Sequence, residues 1–112
     1  MAEFEVNLTE PAEDDLRGIA VYISSQLKEP NIALKMVETI ESKIDKLETM
    51  ALAYPLVSDD YLASLGYRLM PVKNYHVFYI AFEKEKYVDV DRILYGRRDW
   101  ANIVGQPHND ND

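Results

Sequence analysis

Apolar and polar residues alternate over Phe4–Leu8 (FEVNL), a period of two that predicts a short first strand. The period then lengthens. Leu16, Ile19, Ala20, Ile23 and Leu27 recur at steps of three and four, which places them on one face of a helix. Thr9 stands where that helix needs an N-cap. Pro11 suits its first turn, and Glu10, Glu13, Asp14 and Asp15 favour the positive end of its dipole. Gly18 inside it costs roughly 1 kcal/mol relative to alanine, and close packing against the next helix is the expected reason for it. Pro30 interrupts the pattern, with Asn31 as the expected cap of a second helix over about Ile32–Ala51. Its apolar stripe is Ile32, Met36, Ile40, Ile44 and Leu47. The opposite side, with Lys35, Glu38, Glu41, Lys43, Asp45 and Glu48, is a solvated face. The short link implies an antiparallel helical hairpin, ended by Tyr54-Pro55.

Leu56–Leu65 reads as a connection with one short helical turn, capped from Ser58-Asp59-Asp60. Beyond it the period returns to two. Tyr67–Val72, Tyr75–Phe82 and Tyr87–Leu94 are rich in Tyr, Val, Ile and Phe, and Lys73-Asn74 and Glu83–Lys86 separate them. They predict three consecutive antiparallel strands. Within the last, Val88 and Val90 are the inward pair, so Asp89 and Asp91 face the other way. Ala101–Val104 is expected to close with one turn. The fold class is therefore α+β with two layers: a helical hairpin on one face of a small, mainly antiparallel sheet, in the order β-α-α-β-β-β. The second sheet face is expected to be open or cupped.

Length adds that residues 1–104 make a single domain, with 105–112 (GQPHNDND) a disordered acidic tail, since that stretch has almost nothing apolar to bury. Cysteine is absent, which excludes disulfides and thiolate metal sites. No apolar run reaches the roughly 20 residues that span a bilayer, and the acidic, alternating N-terminus is not a secretory signal. The expected setting is cytoplasmic, with no membrane partner. The formal net charge of −8 opposes nonspecific nucleic-acid binding, but it is unevenly spread. Met1–Leu65 carries 13 acids against 5 bases, whereas Gly66–Val104 carries 7 bases against 5 acids.

No nucleotide-binding glycine loop, zinc-protease motif or serine-hydrolase elbow is present. The two histidines, His76 and His108, lie far apart, so neither a metal nor a cofactor is expected. His76 reads either as a partly exposed strand residue or as a general acid/base. Arg68, Arg92, Arg97 and Arg98 are candidate anion binders through their forked guanidinium groups. Arg98-Asp99 reads equally as a structural ion pair, and Trp100 reads as a core anchor at the sheet end.

The helix opening TEPAEDDLRGIAVYI, the double strand GYRLMPVKNYHVFY and the ending RILYGRRDW, in this order and spacing, resemble the RelE/ParE superfamily, the toxins of type II toxin–antitoxin modules known from plasmid stabilisation. The resemblance runs over about Phe4–Val104. It implies a toxin that a cognate antitoxin neutralises by wrapping it. It also implies growth inhibition, either by ribosome-dependent mRNA cleavage, as in RelE-like mRNA interferases, or by noncatalytic poisoning of DNA gyrase, as in ParE-like members. A degenerate toxin that keeps only antitoxin binding is the third reading. For cleavage the resemblance implies His76, Arg68 and Arg98 as the catalytic set, with Arg97, Lys73 and Tyr95 as substrate contacts. Met70 stands where lysine is typical, His76 where arginine is typical, and no tyrosine follows Trp100.

Overall fold

A computed structural model describes residues 3–96, 100 and 103–104. The chain runs β1 (Glu5–Leu8), α1 (Glu10–Val21), a π-helical turn (Tyr22–Gln26), α2 (Pro30–Asp45), α3 (Leu47–Met50), α4 (Asp60–Ser64), β2 (Tyr67–Val72), β3 (Tyr75–Phe82) and β4 (Tyr87–Tyr95). The four strands form one sheet in the order β1-β4-β3-β2. The two hairpins are antiparallel as expected, and β1 adds to β4 in parallel. The helical hairpin packs on one face, over a core that includes Ile19, Ile40, Ile44, Leu47, Val77, Tyr79, Val88 and Val90.

The helix boundaries follow local chemistry. The Thr9 side chain accepts the Ala12 N–H at 3.2 Å, which caps α1, and Asp59 accepts from Leu62 N at 2.9 Å, which caps α4. Asn31 does not cap α2. Glu29 holds that position without a side-chain bond, and Pro30 enters the first turn, where its missing N–H is not needed. The first helix does not run evenly to Leu27. After Val21 it widens, with Leu27 N donating to Tyr22 O. Ser25 Oγ donates to Val21 O at 2.6 Å, the side-chain competition that loosens helical bonding. The second helix stops at Asp45, and α3 restarts after Lys46. Its stripe buries Ile40, Ile44 and Leu47, whereas Ile32 is half exposed and Ala33 lies inside instead. Close packing does not explain Gly18, since a Cβ there would meet nothing within 4 Å. Gly66 ends α4 at φ +95, in the left-handed region that favours glycine after a helix.

Of the two expectations for the second sheet face, open or cupped, the structure shows the cupped one. Tyr67, Phe78 and Leu94 project there, and α4 and the turn at Trp100 cover them, burying Val57, Leu62 and Val104 in a second, smaller core. Trp100 stacks on Phe78 with ring centroids 5.1 Å apart, the anchoring role expected of it. Ile103 N and Val104 N both donate to Trp100 O, which closes the turn. The tail at 105–112 lies outside the described residues.

The strand that holds both layers is β4. Its first half pairs with β1, and Thr9 N bonds Val90 O where β1 ends. Past that point its outer edge has no strand neighbour among the described residues. A bulge interrupts the β3–β4 register between Phe78 and Tyr79. Asp15 of α1 supplies what a neighbouring strand would: its Oδ2 accepts Ile93 N–H at 2.9 Å and Arg92 Nε at 2.7 Å, while Oδ1 accepts Arg92 Nη2 at 2.9 Å. Arg92 is thus committed to a forked ion pair inside the fold. Asp15→Ala should lower stability by about 2–3 kcal/mol, because it strands a partly buried guanidinium and an amide. Asp15→Asn, which keeps an acceptor for Ile93, should cost less. Urea unfolding of the three proteins checks this.

Candidate functional site

A groove of about 830 Å³ lies between the helical hairpin and the sheet. One wall comes from α1 and the π-helical turn, through Asp14, Gly18, Ile19, Tyr22 and Ile23. Leu27, Ile32 and Met36 close the hairpin end, and Asn74, Tyr75, Ile93 and Tyr95 form the sheet wall. Its surface is mainly apolar. Tyr22, Leu27 and Ile32 are each about half exposed, so large apolar side chains stand at its rim without cover among the described residues. Asp15, Gly18, Ile19 and Tyr22 recur at helical spacing, the signal by which the sequence could have marked this wall. Tyr75 and Tyr95 meet edge to face across the β3–β4 pairing, with ring centroids 5.8 Å apart.

His76 lies on the other side of the sheet. Its neighbours in register are Pro71 and Leu94, and its ring sits edge-on to Phe78 at 6.1 Å. His76 Nδ1 is buried and has no hydrogen-bond partner among the described residues. Gly96 N donates to Asn74 O, which brings the Gly96 backbone against the imidazole. A Cβ at Gly96 would come within 3.0 Å of His76 Nε2 and 3.3 Å of Asn74 O. A side chain there would need the imidazole or the Asn74 carbonyl to give by a few tenths of an ångström.

Arg68 pairs in register with Tyr79, whose ring is in the helix-side core, so Arg68 and His76 point to opposite faces of the sheet. Arg68 Nη1 donates to Tyr54 O at 2.6 Å, which pins the loop before α4. Lys73 sits in the β2–β3 turn at φ 55, exposed, beside the end of the groove that Asn74 lines. Tyr95 lines the groove itself. The structure therefore brings Lys73 and Tyr95 to one end of the molecule and separates Arg68 from His76. Arg97 and Arg98, and the Arg98-Asp99 pair, lie outside the described residues, as does His108. Tyr22 is the groove tyrosine that sequence reasoning did not single out.

Burial shapes the titration of several groups. It pushes the Tyr67 phenol up to about 12, helped by Asp91, whose Oδ2 accepts the Tyr67 hydroxyl at 3.1 Å. It also pushes Tyr79 up to about 12, against the opposing charge of Arg68. Tyr79 donates to Ala51 O at 2.8 Å. Tyr75 is raised by burial and by the nearby phenols of Tyr95 and Tyr22. Asp89 is raised by burial and then by Asp91. Both acids lie on the face away from the hairpin, as their alternation with Val88 and Val90 requires. Arg92 is raised by its hydrogen bonds to Asp15. Among the described residues no group of histidines and acids could hold a metal ion. Nor is any described helix long and apolar enough to cross a membrane.

Helices packed on a four-stranded mixed sheet are the features that the comparisons with known proteins match. The family model for the ParE toxin of the type II toxin–antitoxin system parDE matches residues 6–100, and the chain belongs to that family. It is a type II toxin–antitoxin toxin of the RelE/ParE superfamily. Among solved structures it is similar to a chain of the chromosomal ParDE system from P. aeruginosa, at 21% identity and TM-score 0.69, over 83% of this chain and 96% of that one. It is also similar to a chain of a RelBE toxin–antitoxin complex from Mycobacterium tuberculosis, at 21% identity and TM-score 0.56, over 84% and 99%. These two likenesses show the shared fold. No curated protein sequence matches significantly.

Two measurements follow from the site's geometry. Gly96→Ala should lower stability by about 1–3 kcal/mol through overpacking. The loss should shrink in a His76→Ala background, as a double-mutant cycle of urea unfolding would read. The tyrosines give a pH window. A phenol whose folded value is raised from 10 to about 12 contributes stability that is intact below pH 10 and lost as pH rises through 12. The urea midpoint should therefore fall between pH 10 and 12, and fall less steeply in Tyr67→Phe.

Proposed function

We propose that this toxin inhibits growth by binding its target rather than by cutting RNA, in the manner of gyrase-directed ParE toxins, and that a cognate antitoxin holds it inactive. The observation that carries this reading is the placement of Arg68 and His76 on opposite faces of the sheet. Cleavage of a phosphodiester by a histidine base needs a cation within contact of the same phosphoryl oxygens. A guanidinium bonded to Tyr54 O on the hairpin side is not placed to supply it. The match to the ParE toxin model supports the same reading. Target contact falls to the end of the molecule that holds Lys73 and Tyr95, and Arg97 and Arg98 follow Gly96 directly in the chain.

Expression without antitoxin, with pulse labelling of protein and DNA synthesis, tests the proposal. DNA synthesis should fall first, with filamentous cells, while translation continues. Growth inhibition should survive in His76→Gln and in Arg68→Lys, with soluble yield as the control for folding. An immediate stop in translation that either variant abolishes would assign ribosome-dependent cleavage to His76, Arg68 and Arg98 instead. Full growth with abundant soluble protein would leave a chain that retains antitoxin binding alone.

A further inference from the structure

β2 is an outer strand of the sheet, and part of its free edge is covered by the chain's own residues 51–57. Val57 N donates to Tyr67 O at 3.0 Å, and Leu69 N donates to Pro55 O at 3.2 Å. Leu56 and Arg68 therefore face each other in an antiparallel bridge. Two side chains of the sheet hold this segment down. The Tyr79 hydroxyl donates to Ala51 O at 2.8 Å, and Arg68 Nη1 donates to Tyr54 O at 2.6 Å. The ends of the segment are seated, with Ala51 buried in the larger core and Val57 in the smaller one. Between them Leu52 and Leu56 are about half exposed. Arg68 is the only charged side chain of β2, and its bond to Tyr54 is of the charge-assisted kind, stronger than a neutral one.

Alternation along β2 shows what the segment covers. Tyr67 and Leu69 turn their backbone groups outward, so position 71 does as well. Pro71 stands there and has no N–H to offer. The outward groups are self-complementary. Two β2 strands laid antiparallel about Leu69 exchange N–H···O bonds between the two Leu69 residues, and each Tyr67 N–H meets the partner's Pro71 carbonyl. That pairing needs the segment to lift, because the segment occupies Tyr67 O and Leu69 N. An uncovered strand edge is a template for another chain. We infer that residues 51–57 are a strap, latched by Arg68 through the Tyr54 carbonyl, that keeps the outer edge of β2 from pairing with β2 of a second copy of this chain. Arg68 is then a positioning residue, and this role is separate from how the toxin acts on its target.

Hydrogen exchange and sedimentation of the whole chain test the inference. Arg68→Leu should speed exchange at the Val57 and Leu69 amides about tenfold. The amides of β3, which is paired on both sides, should exchange as before. The same variant should self-associate at a lower concentration than the wild type, and Arg68→Lys, which keeps a donor, should lie between them. Circular dichroism checks that each variant folds. A second variant separates the strap from the loss of the guanidinium. Leu56 and Arg68 form a non-hydrogen-bonded pair, the arrangement in which cross-strand side chains stand closest, and the chain has no cysteine of its own. The double variant Leu56→Cys, Arg68→Cys should be monomeric when oxidised, with the strap tied down, and should dimerise when reduced. Unchanged exchange at Val57 and Leu69 in Arg68→Leu would overturn the inference. So would a chain that stays monomeric while those amides exchange freely, or equal association of the oxidised and reduced forms. None of these readouts depends on growth inhibition, so they stand whether or not the toxin arrests cells.

Discussion

The fold depends on how the outer edge of β4 is satisfied. A strand inside a sheet has neighbours on both sides, and an unpaired backbone amide away from water carries a cost comparable to a lost hydrogen bond. β1 is four residues long and reaches only to Val90. Thr9 and Asp15 complete the edge. Thr9 N bonds Val90 O, the Thr9 hydroxyl donates to Asp91 O at 2.9 Å, and the same oxygen accepts Ala12 N to start α1. Two turns on, Asp15 takes Ile93 N–H and the Arg92 fork. One threonine and one aspartate therefore fix where α1 begins and how it lies against the sheet. Everything further along α1 follows from that, including Gly18, Ile19 and Tyr22 on the groove wall.

The groove is built from both layers. From Asp15 onward α1 and the π-helical turn supply one wall, through Gly18, Ile19, Tyr22 and Ile23, and Tyr75, Ile93 and Tyr95 supply the facing one. Pro30 sets the return helix going with Ile32 at the rim rather than in the core. An apolar position that periodicity assigns to a buried stripe is thereby left uncovered. Exposed large apolar residues clustered at one place are the usual mark of an interaction surface.

The strands were legible in the sequence because both hairpins announce themselves through alternation and short polar turns. The boundaries of β2 and β3 agree with that reading, and β4 extends by one residue. Thr9 and Asp59 were legible as caps because capping is local chemistry. The failures are tertiary. Alternation can separate His76 from Val77, but it cannot say that Arg68 shares a face with Tyr79 until the register is known. A bulge shifts the β3–β4 register by one residue as well, which no pattern of types reveals. Arg92 reads as a free anion binder until Asp15 is placed beside it, 77 residues away in sequence. What cups the second face was not legible for a similar reason. Val57, Leu62 and Val104 come from connecting segments too short to show a period.

Cover on both faces bears on how such a molecule can be controlled. Tyr79 is fully buried on one side of β3 and Phe78 on the other, so the central strand is clamped between two cores. Packed interiors of this kind resist continuous deformation. A partner at one end of the sheet has little leverage on the shape of the other. Control by covering a surface is then simpler than control by reshaping one. On the proposed reading, an antitoxin that covers the end holding Lys73 and Tyr95 covers the end assigned to the target. Two proteins that need the same end of a rigid sheet exclude each other sterically, and no conformational switch in the toxin is required.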